Sequence, residues 1–272
     1  MKWELLAVSL LIAAAAQCQS LGDISLTTTA LSPAERTQIL IDLRRDTLTD
    51  LNSSAARDLL DPNSAAADDF AHHLRDALQA RGYFKAEVGP ITAQLSPDKS
   101  QVDIHANVKE GRVYQFGSVT LADTRILPFD IQRRAFGIHP GELFNASLIR
   151  AGLDQLKREL CARGYINGTV DPGIWTDDKT GLIYLIIKID DGGLFRIGSL
   201  TLEGGEAFPG AGQPLLAAWQ SLEGKPYTCG DNLAAFLRER RDLLPNDFVP
   251  QRDVHADASP GNHTLNFRIA RP

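Results

Sequence analysis

Two adjacent histidines, His72 and His73, follow Asp68 and Asp69 at a spacing that puts residues four apart on one helix face. Imidazole and carboxylate together suggest metal ligation or proton transfer. A metal site needs further donors, and no His-Glu-x-x-His pattern accompanies these four, so they read as a solvated helix face. Asp177-Asp178 and Asp190-Asp191 fall in polar turns containing glycine, where Asp side chains accept hydrogen bonds from nearby backbone N–H groups. Gly204-Gly205 runs into Glu206 instead of a phosphate-cradling helix, and no serine stands in a Gly-x-Ser-x-Gly elbow. The expectation is a protein that is not an enzyme, with no catalytic residue, no metal site and no cofactor.

Thiol chemistry is scarce too. Cys18 follows an apolar run, Leu5 to Ala16, that is broken by Ser9 alone and preceded by Lys2. That run is short for a bilayer span and fits a cleaved secretory signal over residues 1–20, with Ala14-Ala15-Ala16 as the small-residue cleavage site. Lipidation of Cys18 would want a small residue where Gln17 stands. Cys161 and Cys229 occupy non-equivalent places along the chain and read as small buried hydrophobes ahead of a disulfide. No later segment reaches eighteen apolar residues, so no membrane span is expected in the mature chain. The net charge is −6, from 28 basic and 34 acidic residues without a dense basic block, which argues against nucleic acid as a partner.

The elements that position these residues recur. Arg81-Gly82-Tyr83 returns as Arg163-Gly164-Tyr165, 82 residues on, and Tyr114-Gln115-Phe116-Gly117-Ser118-Val119 is answered by Phe195-Arg196-Ile197-Gly198-Ser199-Leu200 at a period of 81. The period is about one small domain. Between the markers the order reads strand, helix, helix, strand, strand. Tyr114 to Leu121 alternates as a strand and Pro128 to Phe136 reads as a short helix. Asn145 caps a longer helix whose Ile149, Leu153, Leu156 and Leu160 share one face. Tyr165 to Thr176 and Leu182 to Ile189 form a hairpin.

Around this clearest set lie two others. In the first, Ile24 to Thr28 and Pro33 to Arg45 give a weak, degenerate front half, and Asn52 to Asp69 reads as an enlarged loop with room for a helical turn. A helix opens at Asp68-Asp69, followed by hairpin arms Ala86 to Leu95 and Gln101 to Lys109. In the third, Phe195 to Leu202, Pro214 to Ser221, Asp231 to Leu243, Phe248 to Ala256 and His263 to Ile269 complete the order. Arg241-Asp242-Leu243 stands there as a degenerate form of the Arg-Gly-Tyr joint. The fold class is α+β: tandem β-α-α-β-β modules at 21–111, 112–192 and 193–272, each with two helices on one face of a three-stranded mixed sheet. Gly82, Gly117, Gly164 and Gly198 serve as backbone punctuation, and Tyr83 and Tyr165 as core or half-buried residues.

These markers resemble those of the polypeptide-transport-associated (POTRA) family. The matching features are a Gly-Tyr pair after the second helix and a Glu110-Gly111 or Asp191-Gly192 exit into the next Tyr114-Gln115-Phe116-Gly117 or Phe195-Arg196-Ile197-Gly198 strand. Gly204 also matches a glycine after the first strand, where the second module has Asp123-Thr124. The resemblance implies an exported, periplasmic protein that meets extended or unfolded outer-membrane or secreted polypeptides, and as a further partner a separate outer-membrane β-barrel protein. Its implied mechanism is β-augmentation, in which a peptide adds to a sheet edge.

With the last strand of each module in the middle, the second strand becomes the edge: Lys85 to Leu95, Asn167 to Thr176 or Phe248 to Ala256. Pro90 blunts the first, and Pro250, Arg252 and Asp253 the last. Pro172 and Gly173 interrupt the middle one, leaving Ile174, Trp175 and Thr176 as the candidate peptide-binding edge. The chain stops at Pro272, right after the third module, so no barrel is expected within these residues. The alternative function is a structural spacer or scaffold subunit of an envelope complex.

Overall fold

The computed structural model of the chain describes residues 20–50, 55–122, 126–204, 208, 210–259 and 261–270. The expected signal segment up to residue 19, Cys18, Asp123-Thr124, Gly205-Glu206 and Pro260 lie outside the described residues. The chain divides between Val113 and Tyr114 into two compact units.

In the first unit, β1 (Ser20–Thr27) and α1 (Pro33–Asp50) are followed by α2 (Ala55–Asp58) and α3 (Ala65–Gln79). β2 (Glu87–Val88), β3 (Thr92–Leu95) and β4 (Gln101–Lys109) complete it. β4 is central, with β1 parallel on one side and β2 and β3 antiparallel on the other. Its alternation works as read from sequence. Val102, Ile104, Ala106 and Val108 are buried, while Asp103, His105, Asn107 and Lys109 take the other face.

The front half of this unit is complete, not degenerate. Ser20 already pairs with Gln101, and α1 opens with a capping box in which Ser32 N donates to Glu35 and Glu35 N to Ser32 Oγ. Ile39 and Leu43 of α1 are buried beside Phe70, Leu74 and Leu78 of α3. The expected loop before α3 is shorter than read. Ser64 Oγ accepts from Ala67 N at 3.2 Å, so the helix starts before Asp68, which lies in its first turn where carboxylates meet the helix dipole.

The second unit holds two further sets. The first runs β5 (Gln115–Ala122), α4 (Phe129–Ala135), α5 (Ala146–Ala162), β6 (Thr169–Asp177), β7 (Leu182–Asp190). Then come β8 (Arg196–Leu202), α6 (Gly212–Trp219), α7 (Asp231–Glu239), a 3-10 turn at Arg241–Leu243, α8 (Pro250–Asp253), β9 (Val254–Ser259) and β10 (Thr264–Ile269). The sheets order as β5-β7-β6 and β8-β10-β9, each with a parallel and an antiparallel pairing. Burying Ile183, Leu185 and Ile187 of β7 is worth about 1.5–3 kcal/mol each.

Two strand expectations need correcting. β6 is continuous: Pro172 pairs in register with Ile187 and Gly173 with Ile186. β6 is an edge, where a proline's missing N–H need not break the ladder. β9 begins only at Val254, because Pro250 opens a helical turn whose Asp253 caps Val249 N at 2.8 Å. The expected edge guards Pro250, Arg252 and Asp253 therefore sit before the strand.

The Arg-Gly-Tyr triplets are helix ends. Gly82 (φ 87°) and Gly164 (φ 94°) are left-handed, and Tyr83 N and Tyr165 N bond back to the Leu78 and Leu160 carbonyls. Arg81 and Arg163 each donate to the carbonyl four residues earlier, Ala77 and Glu159, at 2.8 Å. Tyr83 is buried, with its hydroxyl 3.2 Å from Glu35, and Tyr165 is half-buried. Arg241 has no glycine after it. α7 ends at Glu239, and the Arg241 guanidinium gathers the Leu244, Pro245 and Asn246 carbonyls instead.

Glu110, at the end of β4, is buried and ties the segment before α1 in place. It accepts from Thr29 N and Thr29 Oγ1 at 2.9 Å and from Ala30 N at 3.2 Å. Burial pushes its carboxyl up, but the hydrogen bonds from its own backbone, Thr29 and Ala30 outweigh it and hold it below the ordinary carboxylate range. A depressed folded value means stability present above the unfolded value and lost as pH falls through the folded one. Glu110→Gln is expected to cost about 1–3 kcal/mol at neutral pH and to flatten this acid-side loss. Amide exchange of β1 and β4 in the intact chain at pH 7 and pH 4 measures both effects.

Candidate polypeptide-binding edge

The second set presents the longest second strand: β6 has nine residues, against six in β9 and a broken two and four in β2 and β3. Ile174, Trp175 and Thr176 lie within it, on the edge of the sheet. Ile174 is 47% exposed and Trp175 58%. They do not share a face. Trp175 pairs with Tyr184 and points to the open face, while Ile174 pairs with buried Leu185 on the helix side.

The open face distinguishes this sheet from the other two. At the position after the first buried residue of the central strand, the first set has Asp103 and the third has Asn266. Asp103 accepts from Asp23 N at 2.8 Å and Asn266 from Ser199 N at 3.1 Å. The second set has Tyr184, whose ring contacts Trp175 at 5.0 Å. Beside it Ile186 is 50% exposed, opposite Gly173, which has no side chain to cover it. Sequence reading passed over Tyr184 and Ile186. The signal was available: Ile183 to Ile187 is apolar at every position, whereas Val102 to Val108 alternates strictly.

Gly117 and Gly198 mark where the first strand slips register against the central one, between Phe116 and Ser118 and between Ile197 and Leu200. A Cβ at Gly117 would lie 2.8 Å from Tyr184 Cε1, and one at Gly198 2.2 Å from Asn266 Oδ1. β1 slips likewise between Leu21 and Ile24, at Gly22. Leu21-Gly22-Asp23-Ile24 is thus the first set's copy of the motif, hidden in sequence by its different spacing.

The other sequence candidates take structural roles. His72 lies 3.6 Å from Asp76 on the exposed face of α3, and Asp68 and Asp69 are exposed. Asp177 accepts from Lys179 N and Thr180 Oγ1, Asp178 from Tyr114 Oη, Asp190 from Gly192 N and Asp191 from Gly193 N. Among the described residues, no group of three or more His, Cys, Asp or Glu is placed to hold a metal ion. No helix among them is long and apolar enough to cross a membrane.

Against known proteins, the POTRA family model, described as surface antigen variable number repeat, matches residues 43–111 and 114–192, more than half of the chain. The chain belongs to the POTRA family. It is 30% identical over 121 residues to the outer membrane protein assembly factor BamA of Buchnera aphidicola, an alignment covering 43% of this chain and 19% of that protein. The chain thus spans about a fifth of that curated relative. Among solved structures it is similar to Haemophilus influenzae BamA POTRA3-5, with a TM-score of 0.54 and 19% identity over 93% of this chain and 96% of the other, a likeness of fold.

Within the second unit the two sets are joined covalently. Cys161, in the last turn of α5, forms a disulfide with Cys229, just before α7, with Cα atoms 5.4 Å apart. Reading these cysteines as separate buried hydrophobes is therefore wrong, and Cys229 is exposed. Non-equivalent positions meet because the end of α5 abuts the start of the next set. Phe195 N donates to the Gly164 carbonyl at 2.8 Å, and a Cβ on Gly164 would lie 2.7 Å from Leu194 Cδ1. Ile166 packs into the third set's core. Closing a loop of 68 residues stabilises by about 4 kcal/mol. Reduction, or joint Cys161→Ser and Cys229→Ser replacement, is expected to remove about that much from the second unit. Denaturant-dependent amide exchange of β7 and β10 reads the loss, with β4 of the first unit as the unaffected control.

Proposed function

We propose that this chain is a periplasmic polypeptide-binding and docking protein that assists outer-membrane protein assembly or protein export. It would act as three POTRA modules at 21–111, 112–192 and 193–272 and contact a separate outer-membrane barrel protein. Membership of the POTRA family and similarity to a BamA protein support the general role. The Cys161–Cys229 disulfide supports an oxidising, exported location.

The observation that carries the mechanism is β6, an uninterrupted nine-residue edge strand with Trp175 standing exposed on it. Main-chain hydrogen bonds along such an edge accept many sequences, which suits a protein meeting varied unfolded clients. Trp175 and Ile174 grip alternate side chains on the two faces of the added strand.

Titrating the labelled full chain with an extended nonapeptide of alternating apolar and polar residues is expected to shift the amides of Thr169–Asp177. Trp175→Ala, at an exposed position, is expected to weaken this binding about tenfold without loss of fold. If those amides stay still while a folded barrel protein co-purifies, the chain is a scaffold and the edge-binding mechanism fails. The stapled joint between the second and third sets favours that second reading for their relative placement, since a rigid pair makes a good spacer.

A further inference from the structure

The second set has another edge strand, β5, and a cleft opens beside it. The cleft holds about 600 Å³ between β5 and α4, lined by Phe116, Val119 and Leu121 on the strand and Phe129, Phe136 and Ile138 around it. Phe129 is 77% exposed at its mouth. The first half of the β5 edge is already covered by the chain itself. Phe116 N donates to the Glu142 carbonyl, Gly141 N to the Phe116 carbonyl and Phe144 N to the Tyr114 carbonyl. From Ser118 onward β5 remains the outermost strand of its sheet.

The third set repeats this arrangement and shows what fills the place. Gly224 N donates to the Ile197 carbonyl as Gly141 N does to that of Phe116, and both glycines are left-handed. Five residues earlier stand Trp219 and Phe136 respectively. Trp219 is buried, packed edge-on by Phe236 at 5.1 Å, and its indole N–H donates to the Gly198 carbonyl on β8 at 2.8 Å. Phe136 is smaller and its ring carries no N–H. It rests on Gly152, where a Cβ would come within 2.2 Å of its ring, and forms one wall of the cleft without filling it. The third set supplies its own aromatic plug; the second leaves the space open.

We infer that the β5–α4 cleft is a second docking site, which takes an aromatic side chain bearing a hydrogen-bond donor, carried by an extended polypeptide segment lying along Ser118–Ala122. The donor replaces the Trp219 indole and addresses the bulge backbone at Gly117. The inference rests on the polypeptide-binding reading but uses the opposite edge of the sheet, so each fails separately.

The test is titration of the labelled full chain with a nonapeptide of alternating threonine and valine carrying a central tryptophan, beside the same peptide with central alanine. The tryptophan peptide is expected to shift the amides of Ser118–Ala122 and Phe129, and the alanine peptide to bind there about tenfold more weakly. Phe136→Trp fills the cleft and abolishes these shifts. Phe129→Asp, at an exposed position, weakens them without touching the core, and Trp175→Ala leaves them unchanged. Equal binding of the two peptides at this edge, shifts confined to Thr169–Asp177, no shifts at all, or indifference to Phe129→Asp overturns the proposal.

Discussion

Every sheet in this chain depends on one pairing: the last strand of a set lies in the middle, parallel to the first strand and antiparallel to the second. The parallel partners are far apart in sequence, as Gln115 and Leu182 are, so the helices between them must fold back over the sheet to bring them together. The central strand then carries the densest apolar burial, and both its neighbours are left as edges. Open edges are normally a hazard for aggregation. Here they are the part of the fold with unspent hydrogen-bonding capacity.

The three sets manage those edges differently. The first breaks its second strand at Pro90, and the third shortens its own to six residues and plugs the cleft of its first strand with Trp219. The second set does neither. Its β6 runs unbroken, its open face carries Trp175, Tyr184 and Ile186, and a cleft lined by Phe129 and Phe136 opens beside β5. Repetition of a fold has therefore not produced repetition of a surface, and the long exposed edge and the open cleft fall on one set out of three.

Covalent closure adds a separate constraint. The disulfide links the end of α5 to the turn before α7, beside Gly164, whose missing side chain lets the next set approach. The glycine that ends a helix thus also makes room for the joint, and a larger residue there would clash with Leu194 before any question of helix capping arose.

Local patterns were legible from sequence. The alternation of Val102 to Val108, the cap at Asn145, the left-handed glycines of the two Arg-Gly-Tyr joints and the β-α-α-β-β order all follow from nearest-neighbour backbone preferences and apolar periodicity. The resemblance to the POTRA family rested on the repeated Gly-Tyr pairs and on the Glu110-Gly111 and Asp191-Gly192 exits. What only the tertiary structure decided are the matters that depend on distant residues meeting. Pro172 is harmless because β6 is an edge, Gly22 is a bulge because β4 lies against it, and Cys161 meets Cys229 because two sets abut. The cleft beside β5 exists because strand residues Phe116, Val119 and Leu121 meet Phe129, Phe136 and Ile138, which the order of residues along one strand or helix does not express.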